Sequence, residues 1–399
     1  MSDASAGTRL HKPPPTTEQK AWLARLAQIS PVIEEHSDRA EHERRMPARV
    51  FEALRNSGVP RMWVSKDFGG EQVSIETGVV VLEALARLDA SVAWQMGVQG
   101  AIGRLSDYLP EDSARELFKN NTQLVVGGVK PFGQAEPVDG GYILQGEWSF
   151  ASGIAHAGWL ACMAFLTVDG KPVIDADGPD IRVPFIPISK AEQLDTWYTI
   201  GLRGTGSNNY RVAPTFVPAE LTITKAQMQH APAERLSRAY AISYYNFGPF
   251  TVAPIAVGIA QDALSSFKAM AGKKVPASGK TTLAASHTVQ EKLGRAEMLV
   301  YSAHLLLMEA ARQATLFGET GSDSLAALIR LTGATVAEKT IEAVNIVYEL
   351  AGSSSIYTTS RLDRCFRDIH SATKHIALSS SHFEMAGQYL LGGELQMRR

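Results

Sequence analysis

The sequence predicts an α+β protein in three parts: a helical N-terminal domain, a β-barrel or sandwich in the middle, and a C-terminal four-helix bundle. Three observations predict it. Helical spacing of apolar residues persists to about residue 120. Over residues 121–230 it gives way to alternation, Gly–Gly turns and Val, Ile and Phe content. From residue 231 to 399 the helical spacing returns, rich in Ala, Leu, Glu and Lys.

The elements follow in order. Residues 1–16 carry Ser, Gly and Pro with no apolar run, and read as a disordered lead-in rather than a signal peptide. The helical domain spans 17–120. Trp22, Leu23, Leu26, Ile29 and Ile33 mark a helix over 17–38, and Pro47 opens a second that ends at Asn56–Ser57–Gly58. A helix over 74–88 precedes another that starts after Asp89, carries Trp94 and Ile102, and breaks before Pro110. The β domain, 121–230, contains LVVGGV, GYILQGEWSF, WLACMAFLTV, IRVPFIPI and NYRVAPTFVP as strands. The bundle, 231–399, predicts helices at 233–270, 284–316, 323–351 and 365–391, with breakers at 274–280 and 318–322.

Composition excludes several classes. A chain of 399 residues, 45% hydrophobic, buries a large core. Its net charge of −2 offers no basic field for nucleic acid or anionic lipid. No run of apolar residues reaches the length of a membrane span. Cys162 and Cys365 lack metal-ligand spacing, which suits a reducing cytoplasm and no metal site.

Residues 139–159, DGGYILQGEWSFASGIAHAGW, are the richest stretch. Asp139, Gly140 and Gly141 supply positive φ for a tight turn between two strands. Trp148, Phe150 and Ser152 alternate, so a continuing strand sends all three to one face. Two aromatics and a hydroxyl on one face suit a planar cofactor; aromatics in strands also serve simply as packing.

This domain order resembles the acyl-CoA dehydrogenase superfamily over about residues 18–392. GGYILQGEWSFASG looks like the family's flavin-facing strand, with Phe150 at the aromatic position and Ser152 at the hydroxyl position. RLDRCFRDIHSATKH looks like its Arg–Asp segment, matched by Arg364, Arg367 and Asp368. Many of these dehydrogenases carry a basic glutamate further along that segment; here Ile376 stands at its place, beside His375. Residues 241–262 hold no acid before Asp262 and carry Tyr244, Tyr245, Phe247 and Phe250 instead. Those aromatics suit an aromatic guest, and equally suit a core.

These departures resemble one branch, the oxygenase components of two-component flavin-dependent monooxygenases, such as the hydroxylases of 4-hydroxyphenylacetate and the indole oxygenases. GEWSFASGIAHAGW, DTWYTIGLRGTGSNN and the Arg367–Asp368–x–His370 segment ending in His375 carry the resemblance. It implies reduced flavin, FADH2 or FMNH2, delivered by a separate NAD(P)H:flavin reductase. Oxygen from O2 then passes through a C4a-hydroperoxyflavin to a small aromatic or indole-like substrate. It also implies a cytoplasmic homotetramer. An acyl-CoA dehydrogenase with a displaced base is the alternative.

The same resemblance implies roles. Ser152 faces flavin N5, and a hydroxyl that both donates and accepts serves more than one redox state. His375 handles a proton near neutral pH, since imidazole titrates near 6.5. His370 lies five positions earlier, about 140° round the same helix, and takes a substrate-side role. Phe150, Trp197, Arg203, Thr205 and Ser207 are flavin candidates, with Gly352, Ser353 and Ser354 as a Gly-rich turn near phosphate or the ring. That turn equally serves as a helix C-cap. Trp94, Gln99, Tyr244, Tyr245 and Phe250 are candidates for the substrate wall. Gln99 takes the place of a histidine in some relatives and cannot accept a proton, which favours a substrate that needs no deprotonation.

Overall fold

The computed structural model describes residues 10, 13–175, 178–232, 240–277, 279–318 and 321–395. Most of the predicted lead-in and the start of the predicted 233–270 helix lie outside them.

Four N-terminal helices are set by caps that the sequence announces. Thr16 closes a capping box on α1 (Thr17–Glu43), and Pro47 precedes α2 (Ala48–Ser57). Ser74 caps α3 (Ile75–Leu88) and Asp89 caps α4 (Ala90–Gly103). α4 is buried on nearly every side, as expected of a helix apolar all round. It packs on α3, on the C-terminal bundle and on the first strand of the sheet. A short α5 (Glu111–Ala114) follows and runs on as a π turn over Arg115–Lys119.

The sheet has the strands expected. β1 (Leu124–Val138) and β2 (Gly141–Trp148) form an antiparallel hairpin, and β3 (Ala157–Val168) runs parallel beside β1. After the short β4 (Lys171–Pro172), β5 (Ile174–Asp175) and β6 (Gly178–Pro179) come β7 (Ile181–Pro187), β8 (Glu192–Leu194), β9 (Asn209–Pro218) and β10 (Thr222–Thr224). The main sheet runs β10-β7-β3-β1-β2-β9-β8. Of the three hairpin residues 139–141, Gly140 alone has a positive φ, +79°.

A short α6 (Lys225–Gln229) leads to the bundle. Its helices are α7 (Tyr244–Ala271), α8 (His287–Phe317) and α9 (Asp323–Ala351). The fourth predicted helix, 365–391, is instead two. α10 (Arg361–Ala372) and α11 (Ser381–Leu390) flank a 3-10 turn over Ile376–Leu378. The break has a local cause: His375 is extended (φ −68°, ψ 141°) and its Nδ1 accepts the Ala377 N–H at 3.2 Å. That side-chain cap replaces the hydrogen bonds that helix continuation would make. Against the expectation that no apolar run reaches the length of a membrane span, α7 is long and apolar enough to cross one, and most of it is buried inside the fold as a core helix.

Candidate functional site

The site forms where α4, the end of β2, the loop before β9 and the turn after α10 meet. β2 ends at Trp148, so the expected common face of Trp148, Phe150 and Ser152 does not exist. Trp148 is fully buried, stacks on Tyr210 and donates its Nε1–H to Met163 O at 2.7 Å. Phe150 has φ +66°, a left-handed conformation that costs a bulky residue energy. This turns its ring outward, 60% exposed, edge-on to Trp197 with centroids 6.1 Å apart. Ser152 turns inward and is 3% exposed.

Backbone bonds pin that turn to the loop before β9. Ala151 N–H donates to Asn208 O at 3.2 Å and Gly153 N–H to Thr205 O at 3.0 Å. Inside, Ser152 Oγ lies 2.7 Å from Ser207 Oγ, which lies 2.7 Å from Thr205 Oγ1. Trp94 Nε1–H donates to Ser152 Oγ at 3.2 Å. The Trp94 ring also packs against the His375 ring, with centroids 5.6 Å and planes 76° apart. Trp94, Ser152, Thr205, Ser207 and His375, from four segments of chain, are thus one contact group.

His375 is held by a close approach. An added Cβ at Gly333 on α9 would stand 2.5 Å from Ala377 O, so the turn beside His375 sits directly against that helix. Burial pushes the imidazole pKa down to about 4. The ring is therefore neutral near pH 7. With Nδ1 accepting from Ala377, its proton resides on Nε2, and His375 presents an N–H donor. The expectation of titration near neutral pH does not hold. Nor do His370 and His375 share a helix: α10 ends at Ala372.

Other candidates are placed elsewhere or serve the frame. His370 Nε2 contacts Asn345 Oδ1 at 3.0 Å and the ring packs on Phe366. Gln99 Oε1 accepts the Val125 N–H at 3.0 Å and so anchors the start of β1. Phe250 is fully buried, and Tyr244 and Tyr245 pack edge to face in the core around Phe68, Tyr108 and Met163. Gly352 and Ser354 form the cap after α9, where Lys274 Nζ donates to Ser354 Oγ and Ala351 O at 2.7 Å each. Ser353 is exposed in the same turn. Trp197 Nε1–H donates to Leu202 O at 3.1 Å.

Two residues escaped the sequence reading. Gln95, next to Trp94, donates to Gly204 O at 3.3 Å while its Oε1 is buried without a partner. Asn208 accepts the Thr196 and Trp197 N–H groups at 2.9 Å each and folds the flavin-candidate loop. No local pattern distinguishes either residue; both matter only because distant segments meet them.

Flavin fits this geometry on three counts. Arg203 Nε is a buried donor without a partner. Phe150 offers an exposed aromatic face beside Trp197. Ser152 presents a buried hydroxyl between the indole of Trp94 and the Ser207 hydroxyl.

A helical domain, a central sheet and a helical bundle around such a hydroxyl–aromatic cluster define a flavoenzyme of the acyl-CoA dehydrogenase architecture. Residues 16–111 match the acyl-CoA dehydrogenase N-terminal domain and residues 250–380 the C-terminal domain. The chain belongs to the acyl-CoA dehydrogenase superfamily. It is 28% identical to the oxygenase component of an FADH(2)-dependent resorcinol hydroxylase from Rhizobium sp. (strain MTP-10005), over 96% of this chain and 98% of the relative. It is 26% identical to indole-3-acetate monooxygenase from Pseudomonas putida, over 88% and 89%. The fold matches that of XiaF from Streptomyces sp., solved with FADH2 and glycerol, with a TM-score of 0.88 at 23% identity, over 94% and 96%.

Proposed function

We propose that the chain is the oxygenase component of a two-component flavin-dependent monooxygenase acting on a small aromatic or indole-like substrate. A separate reductase supplies the reduced flavin. The observation that carries the reading is the contact group itself, in which Trp94 joins a buried hydroxyl, Ser152, to a neutral imidazole, His375.

Reduced flavin, when bound, supplies the two electrons that let one atom of O2 enter the substrate while the other leaves as water. The chain's residues supply the rest. Phe150, Trp197 and Arg203 hold the flavin. Ser152 accepts a hydrogen bond from its N5 side. His375 Nε2–H donates a hydrogen bond to the reacting oxygen, while the buried Trp94 excludes water from the space between.

A dehydrogenase reading needs a carboxylate base on this wall. Ile376 occupies the usual place, and Asp262 on α7 is tied to Arg361 at 2.5 Å. We further place the protein in the cytoplasm as a homotetramer. An apolar stripe on α8 supports association: Met298, Leu305 and Leu316 are 54%, 37% and 41% exposed and fall on one face of the helix.

The test mixes the protein with reduced flavin, ¹⁸O₂ and a panel of phenols, indoles and fused aromatics. One labelled oxygen atom in a product, with a generic reductase sufficing, is expected. Bleaching of bound oxidised flavin by an acyl-CoA, with no oxygenated product from any aromatic, overturns the reading.

A further inference from the structure

The hydroxyls around Ser152 can be assigned a direction. Each carries one proton and two lone pairs. Thr205 Oγ1 lies 2.8 Å from Leu202 O, and a carbonyl can only accept. Two oxygens at that distance without a proton between them repel, so the Thr205 proton is committed to Leu202. Thr205 Oγ1 can then only accept from Ser207, 2.7 Å away. Ser207 Oγ in turn can only accept from Ser152, also at 2.7 Å. Ser152 therefore spends its proton inward, and accepts the indole N–H of Trp94 on one lone pair. All three hydroxyl residues are buried, at 3% exposure or less. What remains on Ser152 is a single lone pair.

We infer that Ser207 and Thr205 are positioning residues that make Ser152 an acceptor alone, so that the site prefers reduced over oxidised flavin. The inference rests on the proposed flavin site. Flavin N5 bears a hydrogen when reduced and a bare lone pair when oxidised. An acceptor-only Ser152 bonds the first and opposes the second. The anchor is the carbonyl of Leu202, itself held in a left-handed conformation (φ +52°) with its N–H donating to Asp368. Ser207 and Thr205 therefore act through Ser152 rather than by touching flavin.

Thr205→Val removes the proton acceptor of Ser207. Ser207 then donates to Ser152, and the Ser152 proton turns toward the flavin. Ser207→Ala has the same consequence by deleting the link. Thr205→Ser keeps the chain and its direction. Trp94→Phe removes a donor without altering the direction.

The experiment titrates oxidised flavin, and reduced flavin anaerobically, into each variant, and measures the midpoint potential of the bound flavin. Thr205→Val and Ser207→Ala are expected to lower the preference for reduced flavin roughly tenfold, the worth of one hydrogen bond. Tenfold corresponds to a potential about 30 mV more negative for a two-electron couple. Thr205→Ser and Trp94→Phe are expected to keep the wild-type ratio. Should Thr205→Val fail to fold, Ser207→Ala carries the same test. Equal changes in both affinities, or none, in the Val and Ala variants overturn the inference while leaving flavin binding intact. Wild-type protein that binds neither redox form sinks the flavin reading itself, and this inference with it.

Discussion

Asp368 Oδ1 accepts the backbone N–H of Leu202 at 2.6 Å, across 166 positions of sequence. Together with Arg367 Nη1, which donates to Ile200 O at 2.6 Å, this bond ties α10 to the loop that carries Trp197, Arg203, Thr205 and Ser207. The carboxyl is buried, and Arg364 Nε lies 3.8 Å from its other oxygen. Asp368→Ala leaves the Leu202 N–H unpaired and releases a leucine held at positive φ. Loss of about 2–3 kcal/mol of stability is expected, with weakened flavin binding, by denaturant unfolding and flavin titration. Asp368→Asn retains an acceptor and is expected to recover most of the binding.

The same carboxyl carries a pH signature. Burial pushes it up to about 6, against the pull of Arg364 and the Leu202 N–H. A carboxyl raised in the folded state contributes stability that is full below its ordinary 3.8 and is lost as pH rises through about 6. Wild-type protein should therefore lose stability relative to Asp368→Asn between pH 4 and 7, by at most about 3 kcal/mol. Unfolding curves of the pair across that range check the sign; a difference that does not vary with pH removes the titration from Asp368.

His375 predicts the opposite slope and a flat activity profile. Its pKa, pushed down to about 4, makes its stability contribution complete above the ordinary 6.5 and lost as pH falls from there toward 4. Because it acts as a neutral donor, coupling of flavin oxidation to product should show no His375-dependent break between about pH 5.5 and 8. His375→Ala should divert oxygen to hydrogen peroxide and lower coupled turnover roughly 10²-fold, the scale of one lost donor. His375→Gln, which keeps an N–H, should restore part of it. A break near 6.5 that vanishes in the Ala variant contradicts the neutral donor.

Much of this fold is legible in the sequence because its signals are local. Thr16, Pro47, Ser74 and Asp89 open the helices where caps belong, and Val/Ile alternation marks the five long strands. The site is legible only through resemblance. Alternation put Trp148, Phe150 and Ser152 on one face, but it holds only while the strand continues, and Phe150 turns out of it at positive φ. Apolar spacing ran one helix through His375 because it cannot register a side chain that caps its own turn. Gln99 and Ser354 looked like ligand groups and are committed to backbone and lysine. Trp94 meeting Ser152, 58 positions away, is a product of packing that no window of sequence contains.

Gly333 tests whether that packing sets the site. Its added Cβ would meet Ala377 O at 2.5 Å, and the obstacle is backbone, so either α9 or the turn beside His375 must shift. Gly333→Ala is expected to cost about 1–3 kcal/mol despite the better helix propensity of alanine. Coupled turnover should fall with it, because Ala377 is the residue whose N–H orients His375. Gly387 on α11 is the control: a Cβ there meets nothing within 4 Å. Gly387→Ala should be neutral or stabilising by up to about 1 kcal/mol, with turnover unchanged. Thermal unfolding and product assays on the two variants separate the effect of a helical alanine from that of a displaced histidine. Equal behaviour of the two would mean that the turn tolerates movement, and that His375 is not positioned by contact with α9.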